Sequence, residues 1–300
     1  MTSVSAADRF EAERRRLFTL AYGFLGSRTA AEDIVQDAWL RWQANVPDNV
    51  RDPAAWLTTV TAHLALDQLR AARARRETYP GVWLPEPIVE APSAEASVLV
   101  KSELSLALLF LLERLGPEER AAFVMREVFD HSYREIGGVL GKTEAACRQL
   151  VKRARERVRQ DARAAAQVSR AEIESMLERF VAAVGAGDEA ALLALLAPDA
   201  VLYGDGGGKA PSVINPLFGP ERIVRFILGL RRKYREFSYA RAKVNGVPGL
   251  LVLRAGEVQA VASYEVAEGR IASLFHVVNP DKFRFGREHI PQAAYGLRHV

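Results

Sequence analysis

A single cysteine, Cys147, occurs in 300 residues. No internal disulfide can form, no thiolate-based zinc site is available, and a reducing compartment suits such a chain. Lysine is scarce as well: 7 of the 41 basic residues, against 34 arginines. The planar arginine fork favours paired contacts with phosphates and base edges. A GC-rich genome produces the same bias, so the count alone decides nothing. No apolar run approaches the ~20 residues that a bilayer crossing needs. The opening stretch, MTSVSAADRFEAERRR, lacks the hydrophobic segment of a secretory signal. These absences predict a soluble, cytoplasmic chain with no membrane attachment.

A nucleotide-binding loop is missing too, although LYGDGGGKAPS at Leu202–Ser212 looks like one. A phosphate loop needs four residues between its glycines and a hydroxyl residue after its lysine. Here three residues separate Gly204 from Gly208, and Ala210 follows Lys209. No helical pattern starts at once, so the helix N-terminus that would hold a phosphate is absent as well. No Asp–His pair stands out as an acid/base couple. The expectation is a protein that is not an enzyme and needs no cofactor or metal.

What is present is globular composition, 49% hydrophobic with net charge +4, enough for two or three domains with cores of their own. Residues 8–77 read as helices. Leu17, Leu20, Ala21 and Phe24 recur at helical spacing up to Gly26, and Thr29 with Glu32 reads as the capping box of a second helix. That helix carries Ile34, Val35, Ala38 and Trp42 on one side. Its other face gathers Asp33, Gln36, Asp37 and Leu40, an acidic surface with an exposed leucine. Such a face fits a protein partner offering basic residues and an apolar pocket, or plain solvation. Asp52–Pro53 then opens a long helix. It contains Trp56, Thr61, His63, Asp67 and Arg70, groups able to stack on or bond bases, and ends in Arg73, Arg75 and Arg76, the last two expected to serve phosphates. The loop before it adds Asn49 and Arg51.

Residues 78–97 hold four prolines without a period and read as a linker. The helical pattern resumes over 98–163 and includes the strongest local signal, DHSYREIGGVLGKTEAACRQLVKRARERVRQ. Ser132 caps a short helix, Gly141 permits a tight turn, and Thr143 caps a second helix. Ala146, Cys147, Leu150, Val151 and Ala154 form the apolar stripe of that second helix, which makes Cys147 a core residue. Glu144, Arg148, Gln149, Lys152, Arg153, Arg155 and Arg159 occupy the other face. Two short helices around a glycine turn, the second rich in Arg and Gln, match a DNA-reading helix-turn-helix. The alternative is a solvated basic helix in an ordinary bundle. After a polar joint, residues 170–285 alternate two or three helices with β-rich runs and predict a separate α+β domain with an antiparallel meander. Residues 286–300 read as a tail.

AEDIVQDAWLRW, DPAAWLTTVTAHLALDQLRAARARR and LGPEERAAFVMREVFDHSYREIGGVLGKTEAACRQLVKRAR, in this order and spacing, resemble the two conserved domains of bacterial extracytoplasmic-function sigma factors. The resemblance implies two all-α sigma domains and a function in promoter-specific transcription initiation, with core RNA polymerase and promoter DNA as partners. It places Asp33, Gln36, Asp37 and Leu40 at the polymerase, and Asn49, Arg51, Trp56, Thr61, His63, Asp67, Arg70 and Arg73 at the −10 element. Lys142, Thr143, Glu144, Arg148, Gln149, Lys152, Arg153 and Arg155 fall at the −35 element. One departure is His63, near where the family usually has Asn.

Residues 170–285 resemble a SnoaL-like, NTF2-type cone, so the whole chain is similar to the subgroup of these factors that carries this extension. Three motifs fit that subgroup: WLPEP, with Trp83, Leu84 and Pro85; DGGGK, which is Asp205, Gly206, Gly207, Gly208 and Lys209; and NPDK, which is Asn279, Pro280, Asp281 and Lys282. The resemblance implies a built-in regulator, and the expectation is that the three motifs pack together. The alternative is a DNA-binding regulator whose extension senses an unknown small ligand or acts as an isomerase or cyclase, with Tyr203, Tyr264 and His276 lining its pocket.

Overall fold

The computed structural model describes residues 5–44, 50, 52–90, 104–161, 168–234 and 236–283, without the side chains at 73–75, 77 and 161. Asn49, Arg51, the side chains of Arg73 and Arg75, residues 98–103, most of the polar joint and the 286–300 tail therefore lie outside the described residues. The chain divides into two units, Met1–Thr78 with Leu109–Asp161, and Tyr79–Leu108 with Ala162–Val300.

In the first unit α1 spans Ala6–Leu25, α2 Arg28–Ala44 and α3 Pro53–Glu77. Gly26 ends α1 at φ 61° and donates its N–H to the Tyr22 carbonyl. The cap of α2 differs from the reading above. Ser27, not Thr29, accepts from the Ala30 amide at 3.1 Å, and Glu32 pairs with Arg28 at 2.9 Å. The turn at Gly26 leads straight into the helix, so the unpaired amide nearest a hydroxyl is that of Ala30. Asp52 caps α3 through the Ala55 amide, with Pro53 in the first turn. Leu17, Leu20 and Phe24 of α1 are buried with Ile34, Ala38 and Trp42 of α2 and Leu57, Ala65 and Leu69 of α3. The rest of the unit is α4 (Leu106–Leu112) from Leu109 onward, α5 (Pro117–Phe123), a π-helical turn (Val124–Val128), α6 (Tyr133–Leu140) and α7 (Glu144–Asp161). Helix α7 packs its stripe of Cys147, Leu150, Val151 and Ala154 onto α5 and α6.

The second unit has α8 (Arg170–Ala186), α9 (Glu189–Leu195) and α10 (Pro220–Lys233) with six strands. These are β1 (Leu196–Asp205), β2 (Leu217–Phe218), β3 (Phe237–Val244), β4 (Val247–Arg254), β5 (Glu257–Ala267) and β6 (Arg270–Val277), in the order β2-β1-β6-β5-β4-β3. Strands β3 to β6 form an antiparallel meander. Strand β1 instead runs parallel to β6, with Tyr203 opposite Phe275 and Asp205 opposite Val277. Two parallel neighbours end on the same side of a sheet. That register carries Asp205–Lys209 and Asn279–Lys282 to one place.

The segment read as a linker belongs to this unit. Val89 forms a bridge with Val244, the Glu90 amide donates to the Lys243 carbonyl at 3.0 Å, and Leu84, Pro85, Ile88 and Val89 are buried.

Candidate nucleic-acid interface and the buried Asp205 cluster

The helix-turn-helix is closed at each joint by a residue of the right chemistry. Ser132 and Glu135 form a reciprocal capping box on α6, and the hydroxyl and amide of Ser132 hold the Glu135 carboxyl below its ordinary range. Gly141 takes φ 64°, and Thr143 accepts from the Ala146 amide at 3.2 Å, so its hydroxyl serves the cap of α7. Gly137 lies against the turn itself: a Cβ there would stand 2.6 Å from the Lys142 carbonyl oxygen. Burial of Cys147 raises its thiol pKa, in keeping with a core position.

On the outer side of α7, Glu144, Arg148, Gln149, Lys152 and Arg153 are exposed. Arg148 is held twice, by Glu144 at 2.9 Å and over the Tyr133 ring at 5.2 Å, a ring that Arg126 also covers. Lys142 reaches Glu118 at 3.2 Å, Arg153 reaches Glu119 at 3.6 Å, and Arg155 reaches Glu127 at 2.7 Å. Among the described residues Lys152 has only a long 3.9 Å contact, with Glu156.

The α3 candidates separate into three groups. Trp56 is half-buried, 5.5 Å from the Trp42 ring centre. Thr61 is a correction: its side chain has no exposure, because it lies on the core side of α3 with Leu57 and Ala65. His63 and Arg70 are exposed, yet each meets a residue of the second helical domain. His63 Nε2 donates to the Val139 carbonyl at 2.9 Å. Arg70 contacts Glu118 at 3.4 Å and its helix neighbour Asp67 at 3.2 Å. Arg76, expected to serve phosphates, is also a correction. It donates to the Leu25 carbonyl at 2.5 Å and pairs with Glu113, which pairs in turn with Arg120. Arg120, only 1% exposed, donates to the Gly23 carbonyl at 3.1 Å. On α2, Asp33, Gln36 and Asp37 are exposed, and Leu40 keeps 53% of its surface in solvent.

In the second unit the three short motifs meet at Asp205, whose side chain has no exposure. One carboxylate oxygen accepts from the Tyr79 hydroxyl at 2.5 Å. The other accepts from the Leu84 amide at 2.8 Å and from Lys282 Nζ at 2.7 Å. Lys282 also donates to the Leu84 carbonyl and stands 3.9 Å from the Trp83 ring centre. Asn279 donates to the Tyr79 oxygen at 2.8 Å and caps the turn at Asp281, whose carboxylate pairs with Lys209. Burial first, and then the Asp205 carboxylate, push the Tyr79 phenol pKa upward. A buried carboxylate with three donors, one of them a cation, has a partner on each oxygen, which is the condition for such a group to hold a structure together. Gly207, at φ 58°, faces Asn279 and Tyr79, where any Cβ would collide.

Asn245 was missed by the sequence reading. It is fully buried at φ 53°, accepts from the Ile88 amide at 3.0 Å, and donates to the Leu104 carbonyl at 3.0 Å. Its Asn–Gly pair signals a hairpin turn, and nothing local reveals its second use as a clamp on residues far upstream. Of the pocket candidates, Tyr203 stacks on Phe275 at 5.4 Å and Tyr264 packs edge-on against Phe180 at 5.6 Å. Burial lowers the His276 pKa to about 4, and among the described residues its Nε2 has no partner. Among the described residues no cluster of His, Cys, Asp and Glu could hold a metal, and no helix is long and apolar enough to cross a membrane.

Residues 9–75 match Sigma-70 region 2 and residues 105–158 match Sigma-70, region 4. The chain is 42% identical over 290 residues to the ECF RNA polymerase sigma factor SigJ of Mycobacterium tuberculosis, covering 91% of this chain and 92% of that protein. It is 32% identical to the Probable ECF RNA polymerase sigma factor SigI of the same species, covering 92% and 93%. The crystal structure of SigJ superposes with a TM-score of 0.76 at 37% identity, over 92% of this chain and 98% of that one.

Proposed function

The chain belongs to the extracytoplasmic-function RNA polymerase sigma factors, and from that premise we propose how its residues divide the work of initiation. Helix α7 enters the major groove of the −35 element, with Arg148 and Gln149 on base edges and Lys142, Lys152, Arg153 and Arg155 towards phosphates. Helix α3, with Trp56, His63, Asp67, Arg70 and Arg73 and the preceding Asn49 and Arg51, serves the −10 element. The acidic α2 face, Asp33, Gln36, Asp37 and Leu40, docks on core polymerase in the cytoplasm. Polymerase supplies the chemistry, and this chain is not a catalyst. Two modest DNA sites on one enzyme reinforce each other through effective concentration.

The C-terminal domain acts as a built-in regulator, because its Asp205 cluster grips the segment joining the two sigma domains. The observation that carries the DNA reading is the outer face of α7, where Arg148 is preset by Glu144 and Tyr133 while Gln149 stays exposed. Runoff transcription with purified core polymerase on a randomised −35 library tests it. Arg148→Ala or Gln149→Ala relaxes preference at one or two positions by about 1–3 kcal/mol. Unchanged preference in both variants overturns the assignment. The regulatory reading has its own test: output from Asp205→Ala and Lys209→Ala must differ from that of the parent, and equal output in both removes it.

A further inference from the structure

Helix α10, PERIVRFILGLRRK, buries Ile223, Val224, Ile227 and Leu228 and exposes Arg222, Arg225, Gly229, Arg232 and Lys233. At 3.6 residues per turn these five positions share one sector roughly 100° wide and about 15 Å long. Five basic residues and one acidic residue, Glu221, make this the most one-sided helix of the C-terminal domain. Lys233 lies over the Tyr234 ring at 5.2 Å, and among the described residues none of the four cations forms an ion pair.

Helix stability does not account for the pattern. Cations favour a helix C-terminus, which covers Arg232 and Lys233, and Arg231 donates to the Gly185 carbonyl at 2.5 Å. Arg222 sits instead in the first turn, where the dipole disfavours it, behind a Gly219 cap that lends no side chain. Gly229 costs about 1 kcal/mol relative to alanine inside a helix, and a Cβ there would meet nothing within 4 Å. The bare glycine lets a ligand chain lie close to the helix between the arginines. The sector holds no apolar anchor, as the core of a protein interface would require. Guanidinium forks with no ion-pair partner among the described residues, on a chain that works on promoter DNA, match a phosphodiester backbone.

We propose that the Arg222/Arg225/Arg232/Lys233 face of α10 is a further, sequence-independent contact to the phosphates of promoter DNA. The proposal rests on the sigma-factor function and adds the C-terminal domain to the DNA-binding surface. The test uses holoenzyme built from the full chain and a promoter fragment, with affinity measured against salt. Replacing Arg222, Arg225 and Arg232 by Gln lowers the salt slope by roughly 2 to 3 and weakens binding about 10- to 100-fold at physiological salt. Gln at the exposed Arg179 and Arg270, off this face, leaves both values near those of the parent. A photocrosslinking residue at position 225 attaches to DNA. An unchanged slope in the triple variant, or crosslinks to polymerase subunits alone, overturns the proposal. Complex formation by the parent protein reports separately on the sigma-factor reading.

Discussion

Asp205 and Arg148 show how differently two charged residues can be held in one chain. Arg148 is exposed, and its bonds to Glu144 and Tyr133 orient it at little cost. Asp205 is buried with Lys282, so removing either partner leaves a desolvated charge. Asp205→Ala or Lys282→Met costs about 3–5 kcal/mol, read as a lower denaturation midpoint of the C-terminal domain. His276 makes a different prediction. Its folded pKa, about 4, lies below the ordinary 6.5. Between those values the unfolded chain takes up a proton that the native domain refuses, so stability falls as pH drops through that window and levels off below it. The slope approaches about 1.4 kcal/mol per pH unit. Urea titrations at pH 7, 6 and 5 show the fall in the parent, and His276→Phe removes that share.

The helix-turn-helix was legible in sequence because Ser132, Gly141 and Thr143 act on backbone groups within a few residues of themselves. Gly137 was not assigned its task, since its constraint comes from the Lys142 carbonyl across the turn. Gly137→Ala forces that turn open and costs about 1–3 kcal/mol. Calorimetry on the variant shows the loss, and −35 binding weakens with it. The capping box expected at Thr29 belongs one turn boundary earlier, to Ser27, because Gly26 sets where the next helix can begin. In the sheet, β-rich runs marked the long strands but not their neighbours. The parallel pairing of β1 with β6 follows from long-range packing.

Across the molecule, one surface of α3 is asked to do two things. His63 bonds the Val139 carbonyl and Arg70 meets Glu118, both in the second helical domain. The proposed −10 role needs the same side chains on DNA, and the two uses exclude each other. On that proposal, binding of core polymerase and promoter separates α3 from α6. Fluorescent labels on the exposed faces of these helices move apart on complex formation, and an unchanged distance counts against the −10 assignment. The Arg76–Glu113–Arg120 network adds to the barrier, since parting the domains takes Arg76 from Glu113 and Arg120 from the Gly23 carbonyl. Glu113→Gln weakens that packing, seen as faster hydrogen exchange in α5.

The sequence alone determined the two helical domains, the reading helix and the α+β character of the remainder. Periodicity, caps and turns are local, and each is written within a span of about a dozen residues. Tertiary structure alone decided that Thr61 and Arg76 face inward, that Asn245 clamps a segment far upstream, and that Tyr79–Glu90 joins the C-terminal sheet. Those outcomes depend on which distant backbone amides and carbonyls need a partner once the core has formed, and no short stretch of sequence encodes that.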